Sequence, residues 1–413
     1  MKVLYLIPQP KSPERIGAYT FLDEEIQALA DAGIEPYVLS TAAPDDAWCG
    51  AVRLMSADAR TSIARRWAAA GFLTRSVPSA SFSHAWHPVM WYRSAWREYL
   101  AARIIAEEGI DLIHSHFAWP TGSGGMMARA ASGRPLVASL RGTDILVETE
   151  IGYGRRKSTI FDRALRRLLK GADRTLYFSE YMRDHALSLG ARPEAAEVIR
   201  KGVDLGQFTV ADDRVALKQE LGLGSRPMIL TVGGLIPRKG IHHLLEALSR
   251  LRNHHDFTFV VCGDGPERNR LEELAMRLGL GEQTLFMGRV DRATIPRYFA
   301  ACDVFALTST VEAAGNVLFE AMASARPVVC TDAGGPQEYV VDGEMGFVVP
   351  VGDVDRMAAR IGRLLADPVL QDSLGREGRR RTLAEFSYER MVTDVIAVYE
   401  DVLGARSSAR TAD

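Results

Sequence analysis

Glu312 and Glu320 sit eight residues apart in the stretch TSTVEAAGNVLFEAMASARPVVCTD, residues 308–332. The first lies in a polar loop and the second inside the apolar run that follows, where helical spacing takes over. Eight residues along a helix rise roughly 12 Å, so the two carboxylates cannot grip one atom. They can hold two ends of one elongated ligand. Between them Gly315 permits a tight backbone, and the amides near Gly315, Asn316 and Val317 open a helix whose unpaired N–H groups favour a phosphate. A nucleoside diphosphate sugar has that shape, with Glu320 accepting from the ribose hydroxyls and Glu312 from those of the transferred sugar. The bland alternative is a solvated Glu312 and a surface Glu320. The apolar setting VLFEAMA speaks against it, whereas the spacing alone is common by chance.

Other side chains could complete such a site. VGGLIPRKG (232–240) places Gly233 and Gly234 at a strand end and Arg238 and Lys239 just beyond, where cations offset a leaving diphosphate. In DLIHSHF (111–117), His114 and His116 alternate along a strand end, and only one of them is expected to face a cleft. The pairs His242–His243 and His254–His255 have no carboxylate or cysteine at ligand spacing and read as solvated. GDGPER resembles half of a dinucleotide fingerprint, but position 268 is Arg rather than Gly. No Asp-x-Asp stands at a strand end, so no metal is expected to be obligatory.

The elements that must position these groups follow from the pattern. With 413 residues the chain exceeds one ordinary core and predicts two or three domains. A net charge of −2 gives no support for nucleic-acid binding. Through Lys201 the chain carries 26 Lys and Arg against 22 Asp and Glu, a net of +4; the remainder has 24 against 30, a net of −6. The four cysteines are scattered without metal-type spacing, which fits a reducing compartment. The opening MKVLYLIPQP is too short for a signal peptide, and no segment approaches 18 apolar residues, so a cytoplasmic protein is expected.

Short β-rich runs alternate with helical stretches. VLYLI, PYVLS, DLIHSH, PLVASL and RTLYFS form one series; MILTVGGL, FTFVVCGDG, TLFMGRV, VFALTST and PVVCTD form a second. Such repetition predicts two doubly wound parallel sheets facing across a cleft. The boundaries expected are 1–203, 204–385 and a C-terminal helix with a frayed tail over 386–413. One stretch breaks the alternation: between Ala59 and Arg103, Trp67, Trp86, Trp91 and Trp96 are interleaved with arginines. That mixture suits an anionic membrane surface, or a helical insert packing its aromatics on the first sheet.

Taken together the motifs resemble those of retaining glycosyltransferases of family four, which carry the E-x7-E signature on the two-domain GT-B fold. VIRKGVD…F (198–208) is similar to that family's interdomain crossing, and LFMGRV, with Arg289, to the loop that meets the base. RIGAYTFLDEEIQAL, with Gly17, occupies the place of its first glycine loop, and SLRGTDI, with Arg141 and Asp144, that of the acceptor-side loop. The resemblance implies transfer of a hexose from a nucleoside diphosphate sugar to a glycan or glycolipid acceptor. It implies catalytic roles for Glu312, His116 and Lys239 and donor contacts from Glu320 and Arg238. Attack from the face that the diphosphate leaves, with a donor phosphate oxygen taking the proton, is implied as well. No cofactor is expected. The sequence departs from the family at Gly234, where Arg is frequent; at Ala313 and Ala314, which replace a glycine and an aromatic; and at Arg141, where relatives often carry His. A nucleotide-sugar epimerase or phosphorylase of the same fold, or a non-catalytic scaffold, are the rival readings.

Overall fold

A computed structural model describes residues 1–8, 20–40, 47–49, 52–56 and 100–410. Gly17 and the tryptophan–arginine stretch through Arg97 lie outside the described residues.

Two sheets account for every described strand. The first holds β1 (Lys2–Leu6), β2 (Glu35–Ser40), β3 (Ala47–Cys49), β4 (Val52–Ser56), β5 (Leu112–His116), β6 (Leu136–Ser139), β7 (Arg174–Tyr177) and β8 (Ala196–Val198). Its order is β3-β4-β2-β1-β5-β6-β7-β8, parallel except for the β3–β4 pair. The second holds β9 (Met228–Val232), β10 (Thr258–Cys262), β11 (Thr284–Gly288), β12 (Val304–Leu307), β13 (Val328–Thr331) and β14 (Gly346–Val349). Its order, β11-β10-β9-β12-β13-β14, is parallel throughout. The expected pair of doubly wound sheets is therefore present, and the architecture is GT-B.

Parallel strands covered on both faces read as continuous apolar runs because neither face meets water. All five residues of β10, TFVVC, are buried. Successive residues serve opposite faces. Ile229 and Phe259 join a cluster with Leu244, Leu248 and Ile361, while Leu230 and Val260 join Phe299, Leu318 and Phe319 on the other side.

The chain crosses between the sheets twice, side by side. Val203 N donates to Phe386 O at 2.9 Å, and a Cβ at Gly202 would stand 2.7 Å from the Tyr388 ring, so only glycine admits this approach. The helix Tyr388–Arg410 then returns to the first sheet, where Met391, Val395 and Tyr399 share a core with Val3, Tyr5 and Leu29. Among the described residues no helix is long and apolar enough to cross a membrane.

The strand order reverses between β1 and β5 in the first sheet and between β9 and β12 in the second. Loops leaving the carboxyl ends of strands on either side of such a reversal diverge and leave a crevice. Lys239, Glu312 and His116 sit there.

Candidate active site

At the second reversal two loops are fastened to each other. The loop after β9 ends in a short turn, Pro237–Lys239, and Gly240 follows with φ of 59°. A Cβ on Gly240 would lie 2.0 Å from Thr308 O. That contact lets Thr308 Oγ1 donate to Lys239 O (2.9 Å) and Thr310 N to Arg238 O (2.8 Å). We expect Gly240→Ala to force the loops apart, costing about 1–3 kcal/mol of stability and most of the activity. A thermal melt matching the parent protein would show that the contact is dispensable.

The fastening brings Arg238 and Lys239 onto Glu312. Glu312 Oε2 accepts from Lys239 Nζ at 2.6 Å, Arg238 Nη1 at 3.0 Å and Ser309 Oγ at 3.1 Å. Burial alone would raise the Glu312 carboxyl, but Lys239 and Arg238 outweigh it and hold the group down at about 2. Burial pulls Lys239 below the ordinary lysine value, against the Glu312 charge, which favours the cation. Because the folded carboxyl is depressed below its ordinary 4.5, its ionisation stabilises the fold above that value, and the contribution is lost as pH falls toward 2. Glu312→Gln should therefore flatten the acid branch of the stability profile, by on the order of 2–3 kcal/mol. An unchanged acid branch would show that the pair of cations does not favour the carboxylate.

Gly315 is the N-cap of the helix Asn316–Ala323, with φ of 82°. A Cβ there would lie 2.9 Å from the Leu307 side chain, so glycine lets the helix start directly against the end of β12. Asn316 is exposed and Val317 half-buried at the helix start, and Glu320 is buried on its inner face. Glu320 Oε1 accepts from Arg292 Nη1 at 3.0 Å. Burial dominates here, and despite Arg292 the carboxyl is pushed up to about 7. Arg292 also forks onto Glu24, with Nε and Nη2 each 3.0 Å from a carboxylate oxygen. Glu24 belongs to the helix Thr20–Asp31 of the first domain. Arg292 therefore spans the cleft. Sequence reasoning did not name it; Arg289, which it did name, lies exposed in the same loop. The interrupted run GRVDRAT, with two arginines, was the available signal.

Gly233 and Gly234 begin the loop after β9. A Cβ on Gly263 would strike Gly233 O at 1.9 Å, so the turns after β9 and β10 are packed backbone to backbone. At Gly234 the nearest atom to an added Cβ is Asp264 O at 3.9 Å. A side chain would fit there, but this chain supplies none, and Arg238 and Lys239 hold the positive charge.

In the first domain His114 and His116 are both fully buried, and their rings stack with centroids 4.4 Å apart. Both rings lie on the same side of β5, so alternation along the strand does not distinguish them. Residues two apart on a strand project to the same face, and what separates the pair is their partners. Phe117, next in the chain, has φ of 70°, unusual for a residue with a side chain. Arg141 is buried and reaches His116 Nδ1 at 2.8 Å and Glu25 Oε2 at 3.1 Å. Lys201 Nζ is 3.6 Å from the same Glu25 oxygen. Asp144 is buried in the turn that Arg141 opens and accepts from Arg141 N at 3.2 Å; burial raises its carboxyl to about 6. Glu25 and Lys201, neither foreseen, carry charge into this interior.

The domains meet at the substituted donor loop. A Cβ on Gly142 would lie 3.0 Å from the Ala313 methyl, and Ser179 Oγ donates to Ala313 O at 2.7 Å. Glu338 accepts from Glu180 N (2.8 Å) and Tyr181 N (2.7 Å), neutralising a helix start of the opposite domain. The Arg238 guanidinium lies over the Tyr153 ring, 5.1 Å from its centroid. Ala313 thus serves as a contact where a bulkier residue would collide.

Comparison with known proteins agrees with this geometry. Residues 213–381 match the family described as glycosyl transferases group 1, and residues 17–207 match glycosyltransferase family 4. A GDP-mannose-dependent alpha-(1-6)-phosphatidylinositol monomannoside mannosyltransferase of Mycolicibacterium smegmatis is 33% identical over 295 residues, 69% of this chain and 75% of that protein. A protein of the same description from Mycobacterium tuberculosis H37Rv is 28% identical over 94% of this chain and 96% of its own length. Among solved structures, sucrose-phosphate synthase from Thermosynechococcus elongatus superimposes with a TM-score of 0.78 at 22% identity, covering 98% of this chain and all of that one, a likeness of fold. With its two sheets, its paired glutamates and these relatives, the chain is a glycosyltransferase and belongs to glycosyltransferase family four.

Proposed function

We propose that the protein is a retaining hexosyltransferase that moves a sugar from a nucleoside diphosphate donor to a glycan or lipid-linked glycan, in the building of surface polysaccharide or glycolipid. The observation that carries this reading is the convergence of Arg238, Lys239 and Glu312 at the strand-order reversal, in the loop that leads into the helix bearing the buried Glu320. In this reading the diphosphate lies between the two cations and the amides of Asn316 and Val317. Glu320 accepts from the ribose and Glu312 from the hexose. The acceptor hydroxyl attacks the anomeric carbon from the face the diphosphate leaves, and a donor phosphate oxygen takes its proton. Closure of the cleft keeps water from the donor. The cations and helix amides neutralise the leaving group, so a chelator should leave turnover unchanged.

The relatives' description motivates GDP-mannose as the first donor to try, in a screen with UDP- and ADP-sugars. Transfer to an acceptor with retained anomeric configuration is the expected result. Conversion of a donor in the absence of acceptor would favour an epimerase, and no turnover of any donor a scaffold. We further propose that the enzyme works on the cytoplasmic face of a membrane, on a lipid-linked acceptor, using the tryptophan–arginine stretch before Arg103. Each arginine at such a surface contributes about 1 kcal/mol. Flotation with anionic vesicles should be strong at low salt and weak at high salt. Equal, negligible flotation with anionic and neutral vesicles would point to a soluble acceptor.

A further inference from the structure

The two stacked histidines at the end of β5 differ in one respect. His114 has both ring nitrogens occupied: Nδ1 meets Tyr399 OH at 2.6 Å and Nε2 meets Ser139 Oγ at 2.8 Å. It is a strut between the C-terminal helix and β6. His116 is engaged only at Nδ1, by Arg141 Nη2 at 2.8 Å; among the described residues its Nε2 is buried without a hydrogen-bond partner.

A guanidinium has five N–H donors and no acceptor. Nδ1 of His116 must therefore be accepting, and a neutral imidazole that accepts at Nδ1 carries its proton on Nε2. The guanidinium is itself fixed. The same Nη2 donates to Glu25, the plane lies over Phe178 with its carbon 4.3 Å from the ring centroid, and the backbone N is tied to Asp144. An unpaired buried donor is costly, and one whose direction is set by a second buried charge is suited to a ligand oxygen.

We propose that Arg141 is a positioning residue. It fixes His116 as the Nε2–H tautomer, so that the ring donates a hydrogen bond to an oxygen of the transferred hexose and does not act as a general base. The identity of that oxygen rests on the transferase reading; the tautomer does not.

The groups around His116 agree with a neutral ring. Tyr5 comes from β1, Glu25 from the helix Thr20–Asp31, His114 from β5 itself, Arg141 from the turn after β6, Lys201 from the interdomain crossing and Tyr399 from the last helix. Burial disfavours the imidazolium most, His114, Arg141 and Lys201 add to that, and Glu25 opposes them. A ring so placed stays uncharged through the range in which an ordinary histidine titrates, about pH 5 to 8.

The test is two-bond proton–nitrogen correlation spectroscopy on the full chain labelled with nitrogen-15 histidine, with the His116 signal assigned by its loss in His116→Gln. The ligand-free wild type should show a neutral, Nε2-protonated ring across that pH range. Arg141→Met should abolish the preference, lower kcat by about tenfold and give the rate a new pH dependence; Arg141→Lys, which still offers only donors, should restore the tautomer. Addition of GDP-mannose, or whichever donor the wild type turns over, should shift the Nε2–H signal. A proton on Nδ1, a ring that titrates between pH 5 and 8, or an unshifted signal with a turned-over donor would overturn the assignment. Should Arg141→Met not fold, the wild-type spectrum and Arg141→Lys decide it. The tautomer is read without substrate, so an inactive chain and a wrong tautomer are separate results.

Discussion

Removing both cations of the Pro237–Lys239 turn, as Arg238→Ala with Lys239→Ala, should lower turnover by about 10²–10³-fold or more, the scale lost when a charge-stabilising donor is taken from a preorganised site. Both groups converge on one oxygen of Glu312, at 3.0 and 2.6 Å, and Gly234 contributes no side chain that could take over. The variant also strands a buried carboxylate, which by itself would destabilise the protein. Lys239→Gln combined with Glu312→Gln separates the effects. That pair removes one charge of each sign and strands no carboxylate, so it should fold and still turn over slowly. Normal turnover in either variant would place the diphosphate elsewhere.

The second large effect concerns Glu320. Replacing it with glutamine should weaken binding of the free nucleoside diphosphate by roughly 10–100-fold above neutral pH, because a hydrogen bond to a charged acceptor contributes about 1.5–3 kcal/mol. The pH dependence makes the assignment specific. Burial holds the Glu320 carboxyl at about 7, against an ordinary 4.5. Below that pH the group is protonated and a poorer acceptor for ribose hydroxyls, so affinity should rise with pH through about 7, and Glu320→Gln should remove the rise. Stability runs the other way. A carboxyl raised in the folded state favours folding when protonated, and that contribution is lost as pH climbs from about 4.5 through about 7. Arg292→Ala, which takes away a cation that hydrogen-bonds this carboxyl, should move both transitions to higher pH. Titration calorimetry across the range is the measurement; a flat wild-type profile would remove Glu320 from the nucleotide site.

Much of the fold was legible because parallel strands covered on both faces must be apolar throughout, and ten such runs stand out between helices. The strands that were not foreseen are β3, β8 and β14, at sheet edges, and β4, whose run VRLMS is interrupted by Arg53. Brief runs at an edge need neither length nor full apolarity. The paired glutamates, the Arg–Lys turn and the glycine before the helix were readable for a related reason, since each lies within a few residues of a strand end and local geometry sets its place.

What the sequence could not decide is which distant charges meet. Arg292, Glu24 and Tyr388 come from three separate segments, yet Arg292 joins Glu320 to Glu24, and Tyr388 OH donates to Glu24 at 2.6 Å. The Glu25–Arg141–His116 set likewise spans three elements of the first domain, with Lys201 arriving from the crossing. The residue types were visible, but their pairing depends on how the sheets, the crossing and the returning helix pack. Burial then determines the chemistry. Of two glutamates eight apart, one is held ionised by two cations at about 2, and the other, buried on a helix beside Arg292, is lifted to about 7. Spacing along the chain fixed the positions of these carboxylates; the tertiary surroundings alone set their charge.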